Sequence, residues 1–201
     1  SSHWVTPTEK LSNLSSGSAA NSKAELTAAQ YTSVYTPGNL LYDNFREELA
    51  IEAEFIRSLK SYGISVIYRP LHECNYGSFW WCTNTDQKIT GEMVATLYNY
   101  VHDYFTNDCG LDNIIWQFNV DVKNSTADIV SPSNIDLLSL DCYLNGKTEN
   151  NASSAYDAVY QKCGDKAYAI SEFYAEKPED YNYNLTSMLS KFIEKLPHKF
   201  A

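Results

Sequence analysis

The stretch "ISVIYRPLHECNYGSFWW", residues 64–81, decides how the rest of the chain is read. It opens as a short apolar run with β-branched residues, the pattern of a strand buried on both faces. At Arg69 it passes into polar and ionisable side chains, reaching His72 and Glu73, and Trp80 and Trp81 follow. Upstream, "FREELAIEAEFIRSLKSYG" carries Phe45, Leu49, Ile56 and Leu59 at helical spacing and stops at Gly63, so a helix leads into the strand.

The same order then recurs. A helix is predicted in "GEMVATLYNYVHDYF", a strand in "NIIWQF", a short helix at "TADIV" and a strand in "IDLLSLDCY". A helix in "SAYDAVYQKCG", a strand in "KAYAISEF" and a helix in "NLTSMLSKFIEKL" complete the series. The segment "TAAQYTSVYTPGNLLYDN" reads as a polar loop with a Pro37–Gly38 turn. Alternating strands and helices imply a parallel sheet covered by helices. Strand starts near Ile64, Asn113, Ile135 and Lys166 average about 34 residues apart, the length of a βα unit. No glycine-rich phosphate loop follows a strand, which disfavours a nucleotide-binding sheet. Every strand ends in polar and aromatic groups ("RPLHE", "WQFN", "LDCY", "SEFY"), as at the mouth of a (β/α)8 barrel. A complete barrel takes about 250 residues. Four full strands, with "SSHWV" and "KFA" at the two ends, predict either a smaller open sheet or, the favoured reading, an incomplete TIM barrel forming one partial catalytic domain over residues 1–201.

Composition narrows the chemistry. A net charge of −10 without lysine or arginine clusters excludes nucleic acid as a partner. No apolar stretch is long enough for a membrane span. No signal-peptide pattern opens the sequence, so a secreted protein would carry its leader outside these residues. Five cysteines with no CxxC spacing indicate neither a disulfide framework nor a metal site, and no cofactor motif is present. The HExxH zinc motif fails because Tyr76 stands where its second histidine belongs. Ser171 lacks a G-x-S-x-G elbow.

Two glutamates remain. Glu73 and Glu172 both follow apolar strands and lie 99 residues apart, three βα units. In a closed barrel, strands three apart face each other across the mouth, so the carboxylates can meet over one substrate. Glycoside hydrolysis with retention requires such a pair at about 5–5.5 Å, one an acid/base and the other a nucleophile. His72 and the indoles near Glu73, and Arg69 or Tyr143 near Glu172, would set their two protonation states apart. Trp80, Trp81, Trp116 and Tyr143 would offer flat faces to sugar rings, although Trp80–Trp81 taken alone suits a core better. Asp136 reads as a turn or capping residue, and Asp141 as part of a structural network. A non-catalytic carbohydrate-binding barrel fragment is the alternative from another class.

The run "YRPLHECNYGSFWW" resembles the signature of glycoside hydrolase family 26, the β-mannanases and their relatives, in its RP, HE, N, G and FWW elements. "NIIWQF", "IDLLSLDCY" and "AISEFY" resemble the family's fifth, sixth and seventh strands, and "SSHWVTP" its His-Trp segment at the end of the third. The resemblance implies a barrel lacking its first two strands and most of its eighth, and a piece of this kind is expected to be poorly stable or inactive alone. It implies Glu73 as acid/base and Glu172 as nucleophile in a metal-free, secreted, monomeric endo-hydrolase of β-1,4-mannan or galactomannan. Mixed-linkage β-1,3-1,4-glucan and β-1,3-xylan are the alternatives within the family. It further implies that His72 contacts the sugar at the −1 subsite. Tyr143 would bond the nucleophile and Arg69 would hold it ionised. Trp80 and Trp81 would shape the neighbouring subsites, with His3 and Trp4 lining the glycone side. The chain departs from the family pattern at Cys74, Tyr76, Cys82 and Ser171.

Overall fold

A computed structural model describes residues 3–8, 22–23, 25–144, 149–164, 166–175 and 185–194. The α-helices of the described residues are α1 (Ala28–Val34), α2 (Leu40–Ser61), α3 (Gly91–Asp103), α4 (Glu149–Cys163) and α5 (Leu185–Glu194), and from α2 onward a helix separates successive strands except between the second and third. The strands β1 (Val66–Tyr68), β2 (Ile114–Asp121), β3 (Leu137–Leu144) and β4 (Ala167–Ala175) form one parallel sheet in chain order. This is the curled half of a (β/α)8 barrel.

Strand periodicity sorts the side chains between two faces. On the helix-covered face, Tyr68 and Trp116 pair across β1 and β2 and pack against Phe105, while Phe118 meets Tyr98 of α3. Tyr156 of α4 covers Tyr168 of β4 at 4.8 Å. The opposite, concave face is layered. Ile67 and Ile115 lie at its base, Gln117 and Ser139 in the middle, and Asn119, Asp141 and Glu172 toward the strand ends.

One irregularity on that face matters. Leu140 pairs with Ile170 but Asp141 pairs with Glu172, so Ser171 is an extra residue in β4. Such a bulge re-aims a side chain. Gln117 Nε2 donates to Ser171 Oγ at 2.9 Å, and Glu172 meets Arg69, so both consecutive residues of β4 turn inward.

Several local expectations need correction. The segment read as a loop from residue 27 contains α1 and the start of α2. Thr27 and Gln30 form a capping box, and Asn39 Oδ1 caps α2 by accepting from Leu41 and Tyr42. "TADIV" forms a turn, not a helix. The Asp128 carbonyl abuts Gly91 so closely that a Cβ there would lie 1.8 Å from it. The strand read over residues 64–73 is only Val66–Tyr68, because the chain turns at Pro70. Residues 3–6 form no strand, and "KFA" lies outside the described residues.

Candidate active site

The turn after β1 carries the first carboxylate. Leu71 and Glu73 adopt φ of 52° and 51°, a conformation that bulky side chains avoid, and strain of this kind concentrates at functional sites. The surroundings hold it in place. Trp81 Nε1 donates to the His72 carbonyl at 2.9 Å, Tyr76 N to the Glu73 carbonyl at 2.8 Å, and Thr83 N to the Cys74 carbonyl at 2.8 Å. The Cys82 thiol also donates to the Glu73 carbonyl, at 3.2 Å. From β2, Asn119 Oδ1 accepts from Glu73 N at 2.7 Å, and Asn75 exchanges two hydrogen bonds with the Asp121 backbone. Satisfied backbone groups make the strained turn tenable.

The second carboxylate is held differently. Arg69 Nη1 donates to both oxygens of Asp141, at 2.8 and 2.7 Å, and its Nη2 donates to Glu172 Oε1 at 2.5 Å. Tyr143 donates its hydroxyl to Glu172 Oε2. Asn119 Nδ2 donates to Asp141 Oδ1 at 3.0 Å, which joins this network to the Glu73 turn.

Glu73 and Glu172 line one cavity of about 410 Å³, with His3, Lys23, His72, Tyr76, Phe79, Asp121, Lys123 and Tyr143. Their electrostatics diverge. Burial, reinforced by Asp141, Asp121 and Glu172, pushes the Glu73 carboxyl up to about 7 against the pull of Arg69. Burial also pushes Glu172 upward, but hydrogen bonds from Arg69 and Tyr143 outweigh it and hold that carboxyl below its ordinary value. Burial, Arg69 and His3 press His72 down to about 3, so its imidazole is neutral at pH 7. A carboxyl with a raised pKa beside one held low is the split that an acid/base and a nucleophile require. Among the described residues no group of side chains could hold a metal ion.

The structure therefore brings Glu73, Glu172, His72, Tyr143 and His3 to one cleft, with Arg69 beneath them. It does not bring the indoles there. Trp4, Trp80, Trp81 and Trp116 are all buried, which corrects their reading as sugar-stacking walls. Trp116 lies on the helix-covered face, between Tyr68, Tyr98 and His102. Trp80 packs edge-on to Phe45 and donates to the Trp4 carbonyl at 3.1 Å, while Trp81 supports the Glu73 turn. Only Trp81 bonds the turn itself, while Trp4 and Trp80 pack edge-on to Phe45 in the core behind it.

Sequence reasoning missed Asn119, Gln117 and Ser171, whose amides and hydroxyl knit the middle layer. Their signal was faint: polar residues inside otherwise apolar strands. Asp141, read as part of a structural network, is the partner that fixes Arg69. Asp136 accepts from Trp116 N at 2.9 Å, as a turn residue does.

The profile of Glycosyl hydrolase family 26 matches residues 1–185. A mannan endo-1,4-beta-mannosidase of Bacillus subtilis is 31% identical over 146 residues, covering 70% of this chain and 40% of that protein. Mannan endo-1,4-beta-mannosidase A and B of Caldalkalibacillus mannanilyticus is 22% identical over 198 residues, 96% of this chain and 38% of that one. The chain thus spans less than half the length of these relatives. Among solved structures, Bacillus subtilis mannanase BCman superposes with a TM-score of 0.70 at 22% identity, over 87% of this chain and 52% of that chain. GH26A of Muricauda sp. does so at 0.70 and 20% identity, over 84% and 55%. At this identity the likeness concerns the fold.

Proposed function

The chain belongs to glycosyl hydrolase family 26, and we propose that it carries the catalytic pair of an endo-acting hydrolase of β-1,4-mannan that retains anomeric configuration. The observation that carries this reading is the divergence of two carboxyls in one cavity, Glu73 pushed up to about 7 and Glu172 held low. The mannan relatives support the choice of polymer.

In the first step Glu73 gives its proton to the glycosidic oxygen while ionised Glu172 attacks the anomeric carbon. The C–O bond breaks, and a glycosyl ester forms on Glu172. In the second step Glu73, now a carboxylate, takes a proton from water. The resulting oxygen nucleophile attacks the same carbon and Glu172 leaves. Tyr143 and Arg69 hold the Glu172 oxygens in place for attack, and neutral His72 serves as a hydrogen-bonding partner for a sugar hydroxyl. A polymeric substrate puts the working protein outside the cell.

The test is to follow mannohexaose hydrolysis by proton NMR, at high protein concentration, in the unsubstituted chain and in Glu172→Ala. Any turnover, which would overturn the expectation that the piece is inactive alone, should release the β-anomer first and be lost in the variant. Initial release of the α-anomer, or hydrolysis that survives the substitution, sinks the reading.

A further inference from the structure

We propose that Tyr76, backed by Phe79, is the stacking platform for a neutral pyranose ring adjoining the scissile bond. This inference rests on the glycan-hydrolase reading above and assigns a specificity-determining residue to that cleft.

All four tryptophans of the chain are buried, so none offers a face to a sugar. The aromatic surface left to the cavity is Tyr76, Phe79 and Tyr143, with the two imidazoles. Tyr143 is engaged already: its hydroxyl bonds Glu172, and the Lys123 ammonium stands 5.0 Å from its ring centroid. Phe79 is stacked on Trp81 at 4.6 Å with only 12° between the rings, and His72 and His3 crowd it at 5.0 and 5.3 Å. Of the three six-membered rings only Tyr76 is exposed, at 43%, and among the described residues Phe79 is its one aromatic neighbour, at 6.2 Å.

Its attachment is as informative as its exposure. Tyr76 N donates to the Glu73 carbonyl at 2.8 Å, and Gly77 takes the following positive φ of 79°. The ring therefore rides on the same strained turn as the proton donor. A sugar lying on Tyr76 is fixed in register with the Glu73 carboxyl, which is what positioning the glycosidic oxygen requires. An exposed apolar face with a polar edge also suits a hydroxyl-rimmed ring better than it suits water.

The test is calorimetric titration of the 201-residue chain with mannohexaose, in Tyr76→Ala, Tyr76→Phe and a remote control, Tyr62→Ala, at the end of α2. Far-UV circular dichroism checks that each variant is folded. Tyr76→Ala should weaken binding by about five- to tenfold, with Tyr76→Phe and Tyr62→Ala within twofold of the unsubstituted chain. Unchanged affinity in Tyr76→Ala overturns the platform while leaving the mannan reading intact. An equal loss in Tyr76→Phe also overturns it, because the hydroxyl and not the ring face would then be binding. No affinity in the unsubstituted chain overturns the mannan reading itself, and this inference with it.

Discussion

Two glutamates of identical chemistry are shifted in opposite directions because their neighbours differ. Glu73 is half-buried among like charges, and Glu172 accepts from an arginine and a tyrosine. The acid must be protonated to work, so kcat/KM should fall as pH rises through about 7, the value to which Glu73 is pushed. Glu73→Gln should remove that alkaline limb and lower kcat by about 10²–10⁴-fold; a limb that persists in the variant assigns the acid elsewhere. Arg69 acts on both partners at once. Its side chain is 11% exposed and that of Asp141 is 0% exposed, so Arg69→Met would strand a buried carboxylate at a cost of about 3 kcal/mol. It would also let the Glu172 carboxyl rise, moving the acid limb of the pH–rate profile to higher pH. Adding Asp141→Asn should recover part of the stability but not the original limb, which separates the two effects in urea titrations and kinetics. An Arg69→Met chain with unchanged urea midpoint would show that the pair carries no stability.

At the scale of elements, β1 and its turn were legible only in part. The apolar run announced a strand and Glu73 a site, but the pattern could not show where pairing stops, because left-handed residues at 71 and 73 carry no compositional mark. The indoles were misread for a related reason. Sequence tells that a turn is aromatic but not which side of it faces the core, and hydrogen bonds to carbonyls decided that. Helix α1 had its signal, the Thr27–Gln30 box, overshadowed by polar surroundings. The segment bearing His3 is tied to α2, through Val5 N to Glu48 Oε1 at 3.0 Å and Asn44 Nδ2 to the Pro7 carbonyl at 2.8 Å. Burial, with Glu52 one turn along, pushes Glu48 up to about 8 despite the Val5 bond. The folded state thus holds a proton that the unfolded chain releases near its ordinary carboxyl value. Stability should fall as pH rises from about 4.5 to about 8 and then level. Glu48→Gln keeps the acceptor for Val5 but has no charge to bury, so it should be more stable at pH 8 by about 4 kcal/mol and similar at pH 4. Denaturation midpoints of both proteins across this window check it, and parallel curves would remove Glu48 as the source.

The whole molecule shows how half a barrel can bring two carboxyls to one cleft. Arg69 follows β1 and Glu172 lies on β4, and their contact spans the four-stranded sheet, so curvature alone brings the two ends of the sheet to one cleft. The same curvature leaves the base of the concave face open. Ile67 is 59% and Ile115 41% exposed there, and Ile51 and Phe55 form an exposed stripe one turn apart on α2. The pairing edge of β1 adjoins this surface, and an apolar face beside an unpaired edge is a template for association. A net charge of −10 opposes contact at low ionic strength, but salt screens it within about 8 Å at physiological strength. The 201-residue chain should therefore self-associate as concentration and salt rise, seen as a growing sedimentation coefficient. Replacing both Ile67 and Ile115 by Ser should suppress this without touching the Arg69–Glu172 layer above. If the chain sediments as a monomer at high salt, or if the double variant associates equally, the concave base is not the contact. The exposed stripe on α2 then becomes the surface to substitute.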